Sequence, residues 1–230
     1  MGRYHADRPT DLRTPDRRHR LSYIIEALPA GLEALAPELR VPPQGRVLDY
    51  GCADQPYRRF FPPSVTYLGA DLPGNPQAHV QIAPDGTVPV EDESVDAVLS
   101  TQVLEHVTDP RVYLDECYRV LRPGGRLLLS THGIMVWHPD PVDLWRWTGE
   151  GLRRQVTEAG LEVVRFEGIM GLAATGLQLF QDAVLARTPR RLQAGLIFGM
   201  QSLARVFDRA QSDESRRLNA LVFALVARKP

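Results

Sequence analysis

Carboxylates and a glycine lie close together between Arg46 and Arg58, in the stretch RVLDYGCADQPYR. Asp49 and Asp54 flank Gly51, and glycine lets a backbone turn sharply and approach a ligand with no Cβ in the way. The stretch has neither the three glycines of a dinucleotide site nor the Gly-Lys-Ser/Thr of a P-loop. Its carboxylates would repel a phosphate, so they favour a ligand that is cationic or rich in hydroxyl groups.

The residues around this glycine predict a strand, a tight turn and the start of a helix. Val47, Leu48 and Tyr50 form a short apolar run, which is typical of a strand buried on both faces. Pro56 suits the first position of a helix, where a missing N–H costs nothing. In a parallel sheet such a turn lies at the carboxyl end of a strand, where open α/β sheets bind ligands.

This stretch resembles motif I of the class I S-adenosylmethionine-dependent methyltransferases, written LD-x-G-C-G-x-G. The chain keeps the first part of the motif at residues 48–52 but has Ala53 and Gln55 where the family prefers glycine. S-adenosylmethionine carries a sulfonium, an ammonium and a ribose diol. It is therefore a ligand of the kind that two carboxylates suit.

A second carboxylate is predicted at the end of the next strand. Val65–Ala70 is interpreted as strand two and ends at Asp71, roughly 20 residues beyond the glycine turn, where a Rossmann-like fold grips a ribose diol. A carboxylate can accept hydrogen bonds from both hydroxyls at once. The alternative is an aspartate that caps the turn before Pro73 and Gly74; together with the first motif, the ribose interpretation is preferred.

Residues 83–110 resemble a further block of the same family, D-G-x-x-P-(apolar)-x-D-x-S-(apolar)-D-x-V-x-S-x-x-V-L-E-H-V. The resemblance implies that Asp85 lies near the adenine and that Gln102 and Val103 line the methionine end. Glu105 is interpreted as a scaffold residue, and His106 as a candidate base or a packed, hydrogen-bonded histidine. The residues expected to contact the cofactor are Asp49, Gly51, Cys52, Ala53, Tyr57, Asp71, Leu72, Asp85, Gly86, Thr101, Gln102, Val103 and His106.

The following elements continue the α/β alternation. His79–Ala83 is a weak third strand, Val95–Leu99 the fourth, and Arg126–Thr131 the fifth. Between the last two, Asp109 and Pro110 predict an N-cap and first turn of a helix. The run YRVLRPGGRLLLST resembles the family's next block, in which Pro-Gly-Gly has a structural role. Crossovers in this order bring the ligand-facing turns to one sheet edge.

A loop after strand five contains all three tryptophans. Aromatic faces hold a sulfonium or a flat acceptor, so the residues predicted to bind the acceptor are Trp137, His138, Asp143, Trp145 and Arg146. His132 and His138 are the first candidates for a general base, His106 is the third, and Arg146 is a candidate to hold an anionic group of the acceptor.

Two other interpretations of this loop remain open. In one, an ion pair between Asp143 and Arg146 fixes the loop while the tryptophans cover the sheet edge. In the other, His132, His138, Asp140 and Asp143 bind a metal, which their irregular spacing disfavours. No metal is therefore predicted.

The two ends of the chain add helices. Residues 1–40 are predicted to form an N-terminal arm, over 1–16, and two short helices broken around Pro29; residues 41–230 form the main domain. A helical insertion is expected at about 170–212, with apolar stripes at helical spacing. It is interpreted as a lid, a homodimer interface or a membrane-surface helix, or as a helical pair over the cleft or sheet.

The resemblance also implies the sheet. Leu161–Glu167 is predicted as strand six and Leu218–Ala227 as strand seven, the latter antiparallel and inserted between strands five and six. The expected architecture is a Rossmann-like α/β fold with a seven-stranded, mostly parallel sheet of order 3-2-1-4-5-7-6 and helices on both faces.

Composition limits the partners. The chain has 230 residues and a net charge of −1, which gives no general attraction to nucleic acid. Its two cysteines are too few for a disulfide framework. Its charged start lacks a signal-peptide pattern, and no apolar run reaches the ~18–20 residues of a membrane span. A cytoplasmic protein with a small-molecule acceptor, no nucleic-acid partner and no integral membrane insertion is expected.

The prediction from the sequence is an S-adenosylmethionine-dependent methyltransferase. O-methylation of a small molecule or sugar, of the secondary-metabolite or surface-polysaccharide type, is the preferred activity. The alternatives are a non-catalytic cofactor-binding or regulatory module and a lipid or quinone C-methyltransferase at a membrane surface. A nicotinamide dehydrogenase is disfavoured by the missing glycines.

Overall fold

The computed structural model describes residue 16, residues 18–139 and residues 141–230. The predicted N-terminal arm lies almost wholly outside these residues, as does Asp140. Seven strands form one sheet in the order 3-2-1-4-5-7-6. The strands are β1 (Arg46–Tyr50), β2 (Thr66–Asp71), β3 (Val80–Gln81), β4 (Val95–Thr101), β5 (Leu121–His132), β6 (Glu162–Gly171) and β7 (Ala220–Arg228).

The predicted strand order and the antiparallel last strand are both confirmed. β7 pairs antiparallel with β5 on one side and with β6 on the other, while β1, β2, β3, β4 and β5 pair in parallel. The helices are α1 (Ser22–Leu35), α2 (Pro110–Val120), α3 (Gly149–Glu158), α4 (Leu172–Leu185), α5 (Arg190–Arg209) and α6 (Asp213–Leu218). Short 3₁₀ turns lie at Ala36–Leu39 and Arg58–Phe60.

The sheet separates two apolar layers. α2 and α3 pack on one face through residues such as Leu114 and Leu152, and α1, α4 and α5 pack on the other through residues such as Leu32, Ala174 and Ala204. The central strands are covered on both sides, which explains why their sequences are continuous apolar runs. Their carboxyl ends remain free to carry a site.

α1 differs from the prediction, because it is one continuous helix with Pro29 inside it rather than two short helices. Proline removes one backbone hydrogen bond and normally kinks or ends a helix. Here the packing outweighs that loss. A Cβ on Gly31 would lie 2.8 Å from Ile169 Cδ1, so the backbone of α1 presses directly onto β6.

β5 begins five residues earlier than predicted. Its pairing with β4 jumps from Val95–Leu121 to Ala97–Arg126, and the Pro-Gly-Gly turn occupies the irregularity between them. Gly124 has a φ of +80°, a conformation that glycine adopts without steric cost. The turn is therefore a bulge inside a strand, whereas the sequence predicted a separate connection.

The α4–α5 hairpin lies between β6 and β7 in the chain and turns a polar face inward. Gln178, Gln181 and Gln201 are buried, and the Gln201 amide nitrogen donates to the other two side chains at 2.8 and 2.9 Å. The hydroxyl of Tyr23 on α1 donates to Asp208 on α5. The hairpin is thereby fastened to α1. No helix in the described part of the chain combines the length and apolarity required to cross a bilayer.

Candidate active site

A large cavity opens at the carboxyl ends of β1, β2, β4 and β5. Its volume is about 1260 Å³, which exceeds the ~300–1,000 Å³ of a typical pocket for one drug-sized ligand. The space is therefore sufficient for a cofactor and an acceptor together. Of the predicted cofactor residues, those that line it are Gly51, Cys52, Ala53, Tyr57, Asp71, Leu72, Asp85, Gly86, Thr101, Gln102, Val103 and His106.

The glycine turn after β1 keeps a left-handed backbone at three positions. Gly51 has a φ of +89°, and a Cβ there would lie 2.4 Å from Val103 Cγ2, so only glycine fits. Ala53 and Gln55, which replace the family's glycines, have φ values of +45° and +56°. The turn therefore adopts this shape despite a steric cost of the order of 1–2 kcal/mol for each non-glycine residue. The cavity wall is backbone at this point.

Asp71 ties this turn to the end of β2. Its Oδ2 accepts hydrogen bonds from the Ala53 amide at 2.8 Å and from Asn75 Nδ2 at 2.6 Å, and its Oδ1 accepts from the Leu72 amide at 2.7 Å. A carboxylate offers about four acceptor positions, so one position is left. Asp71 can take one ribose hydroxyl as it stands, and a second one if Asn75 releases its bond.

Asp49 lies beneath the turn and does not line the cavity. It is 1% exposed; its Oδ2 accepts a hydrogen bond from the Tyr67 hydroxyl, and its Oδ1 has no partner among the described residues. Burial raises the pKa of Asp49 to about 7, the Tyr67 hydrogen bond opposes this, and the negative charge of Asp71 adds to it. A cation bound nearby would favour its charged form.

The loop between β3 and β4 forms the opposite wall. Asp85 accepts hydrogen bonds from the backbone amide and the hydroxyl of Thr87, at 3.0 and 2.8 Å, and these bonds lower its pKa. The Tyr50 hydroxyl donates to the Gly86 carbonyl oxygen, which fastens the loop to β1. Asp85 itself is exposed, so its carboxylate faces solvent at the mouth of the cavity.

Three histidines lie together on the side of the cavity where the methionine end of the cofactor is predicted to bind. The ring centroids of His106, His132 and His138 lie 5.7 to 6.3 Å apart, and all three line the cavity. His132 is the last residue of β5, as predicted. His138 is held by its backbone amide, which donates to Asp143 at 2.6 Å.

Glu105 lies at the centre of this cluster, although the sequence suggested only a scaffold role. It is fully buried, with its Oε1 3.2 Å from His132 Nε2 and 4.0 Å from His106 Nε2. Its Oε2 accepts a hydrogen bond from the Thr131 hydroxyl at 2.8 Å. The Leu-Glu-His order already placed a carboxylate beside a histidine, but only the fold shows that the same carboxylate reaches His132 from the next strand.

The buried environment shifts both Glu105 and His132 toward their neutral forms. Burial raises the pKa of Glu105 to about 7, while its own backbone amide and Thr131 oppose the shift. Burial makes the largest contribution to lowering the pKa of His132 to about 3. The positive charge of Arg146 contributes next, and then the other two histidines. His132 is therefore neutral at physiological pH, and its surroundings disfavour the imidazolium form.

The tryptophan-rich loop differs from the prediction, because Trp137, Asp143, Trp145 and Arg146 do not line the cavity. Arg146 donates to both carboxylate oxygens of Asp143, at 2.5 and 2.6 Å, and to the carbonyl oxygens of Met135, Val136 and Trp145. Its donors serve the loop itself. The structure therefore has the ion pair between Asp143 and Arg146 that the sequence left open as an alternative. Asp143 also accepts the hydrogen bond from the His138 backbone amide, so this pair holds His138 in place.

One wall was missed by sequence reasoning. α1 and the residue before it contribute Leu21, Ile24, Ile25 and Leu28 to the cavity lining, which also includes Met135 and Val222. The helical spacing of these residues indicated only a buried face. Nothing in that spacing could distinguish a cavity wall from a helix packed on the sheet.

A metal site is not formed by the described residues, since no three His, Cys, Asp or Glu side chains among them converge around one point. Asp140, one of the four residues considered, is outside the described part. The histidine cluster is better suited to moving a proton.

Known proteins resemble this chain in both sequence and fold. The methyltransferase domain family matches residues 60–129. A ubiquinone biosynthesis O-methyltransferase of Dinoroseobacter shibae is 30% identical over 207 residues, which cover 74% of this chain and 79% of that protein.

Solved structures agree at the level of the fold. A Haemonchus contortus phosphoethanolamine N-methyltransferase 2 in complex with S-adenosyl-L-methionine is 17% identical, with a TM-score of 0.56, and the match covers 87% of this chain and 52% of that one. The (4+2)-cyclase SpnF is 20% identical with a TM-score of 0.57, over 87% of this chain and 80% of the other.

The fold and the acid-lined turn together define a Rossmann-like protein that binds a cationic nucleoside rather than a dinucleotide. The chain belongs to the class I S-adenosylmethionine-dependent methyltransferases. The residues present fit that cofactor, because Asp71 has an acceptor position left for a ribose hydroxyl. Asp49, predicted as a direct contact, lies beneath the turn and could act on the cation only through its charge.

Proposed function

We propose that this methyltransferase acts on a hydroxyl oxygen of a small molecule that has a substantial apolar part. The observation that carries the proposal is the pairing of a histidine cluster with the apolar wall of α1 inside one cavity. When bound, S-adenosylmethionine supplies a methyl group that its sulfonium has already activated. The tasks left to the protein are to hold the acceptor in line and to remove its proton.

His132 is the base we favour. Its Nε2 lies 3.2 Å from Glu105 Oε1, an ion-pair distance without hydrogen-bond geometry, so Nε2 faces the carboxylate and the buried Nδ1 remains to accept a proton from the acceptor. Nδ1 makes no hydrogen bond to the described residues. Glu105 is a positioning residue in its ionised form, because its negative charge then stabilises the imidazolium that forms. A base of this kind is worth about 10²–10⁴-fold in rate.

The rest of the rate enhancement comes from the alignment of the acceptor with the methyl donor. A well-oriented pair of reactants gains ~7–11 kcal/mol over free encounter. The rigid parts are the β5 end and the Arg146-braced loop, whose ion pair is short on both arms. We propose that these elements hold the acceptor hydroxyl against His132. Trp137 and Trp145 lie outside the cavity, and we propose that they contact the acceptor only at the cavity rim.

The apolar wall favours the class of acceptor. Ile24, Ile25 and Leu28 offer no hydrogen-bond partners, so a bare sugar would lose hydration there without compensation. A hydroxylated ring with apolar substituents would bury apolar area instead. The relative named for ubiquinone biosynthesis is an O-methyltransferase, which supports oxygen over carbon as the atom methylated.

The test is turnover of S-adenosylmethionine by the purified chain on a matched panel. The panel pairs dihydroxybenzenes bearing alkyl tails of increasing length with unsubstituted dihydroxybenzene and with free sugars. We expect kcat/KM to rise with tail length and sugars to give no product. Equal turnover of sugars, or methylation at ring carbon, would overturn the proposal.

The base is tested with His132→Asn, His138→Asn and His106→Asn. We expect kcat to fall about 10²–10⁴-fold for His132→Asn only, with cofactor affinity by calorimetry unchanged. An unchanged kcat for His132→Asn, with a large loss for His138→Asn, would move the role to His138. Calorimetry on the unaltered chain separately tests the cofactor.

A further inference from the structure

The outward face of α5 is apolar, although nothing within the described chain covers it. Leu192 is 55% exposed, Leu203 46%, Val206 62% and Phe207 49%. On a helix these residues fall on one side, opposite Ile197, Gln201, Ala204 and Asp208, which are buried. The usual arrangement of a surface helix is reversed here, since the polar glutamine and aspartate face inward.

Two glycines lie within this outward stripe. A Cβ on Gly195 or Gly199 would meet nothing within 4 Å, so no contact inside the chain requires glycine. Both lie in the interior of a 20-residue helix, where glycine is among the least favourable residues. Their absence of side chains leaves two shallow gaps between Leu192 and Leu203 that a partner's side chains could fill.

We propose that this face binds the same face of a second copy of the chain, with the two α5 helices antiparallel about a two-fold axis near residue 201. This register sets Leu203 of one copy opposite Gly199 of the other, and Phe207 opposite Gly195. Large side chains then enter the gaps left by glycine on both helices. An isologous contact needs a self-complementary surface, and the stripe has small residues toward one end and large residues toward the other.

The charges along α5 agree with the antiparallel register. Arg190 and Arg191 are exposed at the start of the helix and form no ion pair within the described residues. Beyond its end, the exposed Asp213 and Glu214 begin α6, where Asp213 also accepts a hydrogen bond from Arg216 at 2.9 Å. Antiparallel pairing brings the arginines of one copy to the acids of the other. This attraction must outweigh the repulsion between those arginines and Arg209, which lies about one turn before the acids.

Other occupants fit less well. No residue of α4 or α5 lines the cavity, so the hairpin does not act as its lid. An anionic lipid surface would attract the arginines but repel Asp213 and Glu214, and lipid tails give no reason for two glycines. A bilayer is therefore kept as an outcome of the test.

The size of the face sets the expected strength. The helix is roughly 30 Å long and about 10 Å wide, so each copy would bury several hundred Å², at the low end for a specific interface. We therefore expect a concentration-dependent dimer with a dissociation constant of the order of micromolar. Sedimentation equilibrium of the full chain from about 1 to 100 µM should show the mass rising toward twice 25.7 kDa.

The first test fills a gap. Gly199→Leu should leave the fold and cofactor binding unchanged, because its Cβ has open space and α5 is outside the cavity. It should raise the dissociation constant at least tenfold. Thr157→Leu, an exposed position on α3 at the other face of the sheet, is the matched control and should dimerise like the unaltered chain.

The second test reverses charges. Arg190→Glu with Arg191→Glu should abolish the dimer, and so should Asp213→Arg with Glu214→Arg; an equimolar mixture of the two variants should form a heterodimer. Restoration by mixing would not occur if the arginines bound lipid. A monomer at every concentration, an unaffected Gly199→Leu dimer, or flotation of a monomeric chain with anionic vesicles would overturn the proposal.

Discussion

Replacing Asp49 with asparagine should change the pH dependence of folding in a defined direction. The carboxyl group is buried in the folded chain and has one hydrogen bond, from Tyr67, with its other oxygen unpartnered. Burial raises its pKa from 3.8 to about 7. Asparagine keeps an acceptor for the Tyr67 hydroxyl but cannot ionise. The variant therefore isolates the cost of the charge.

The magnitude follows from that pKa. An acid whose folded pKa lies above its unfolded value binds its proton more tightly when folded, so its contribution to stability is fully present below about pH 4 and is lost as the pH rises through 7. The loss amounts to roughly 4 kcal/mol, as an order of magnitude. The unpaired amide donor of the variant subtracts about 1–3 kcal/mol at every pH.

The assay is urea unfolding of both proteins, without cofactor, at intervals from pH 4 to pH 8.5. We expect the free energy of unfolding of Asp49→Asn, relative to the unaltered chain, to increase by roughly 4 kcal/mol across this range. Glu105 titrates in both proteins and cancels in the difference. Curves that stay parallel within about 1 kcal/mol would show that the buried carboxylate is not the group responsible.

Three further changes test the site. Ala53→Gly should raise the unfolding free energy by about 1 kcal/mol in thermal or urea unfolding, because glycine relieves the left-handed φ of +45°; a loss would contradict the strained turn. Gly51→Ala should abolish cofactor binding by calorimetry, since its Cβ would collide with Val103. Glu105→Gln should lower kcat and flatten its rise with pH near 7, because ionised Glu105 no longer supports His132; an unaltered profile would remove that role.

Much of the fold followed from local patterns, and the reason is visible in the central strands. β1 and β2 are short apolar runs that end at a glycine turn and at an acidic residue, so length and punctuation agree. Asp109 caps α2 with the hydrogen bonds that its position predicted, and Thr148 caps α3 in the same way. Local chemistry sufficed wherever the deciding contacts lie within a few residues.

The differences arose where distant contacts decide. Pro29 ended a helix on local grounds, but the close approach of Gly31 to Ile169 keeps α1 continuous. Arg146 had the chemistry to hold an acceptor anion, yet Asp143 and three carbonyl oxygens occupy its donors. The inverted polarity of α5 depends on Tyr23 and other α1 groups more than 170 residues away along the chain. No periodicity contains that information.

The turn after β1 connects these observations. A residue that replaces glycine would be expected to shift the backbone, yet Ala53 and Gln55 retain positive φ values. The conformation must then be imposed from outside the turn: by Asp71 and Asn75, which hold the Ala53 amide and carbonyl, and by the Gln55 side chain, which donates to the Gln77 carbonyl oxygen. Strain that persists only because its surroundings fix it is found at ligand sites. Asp71, which we propose to bind the ribose, also holds the shape of the cavity wall, so its loss should change cofactor binding through both routes at once.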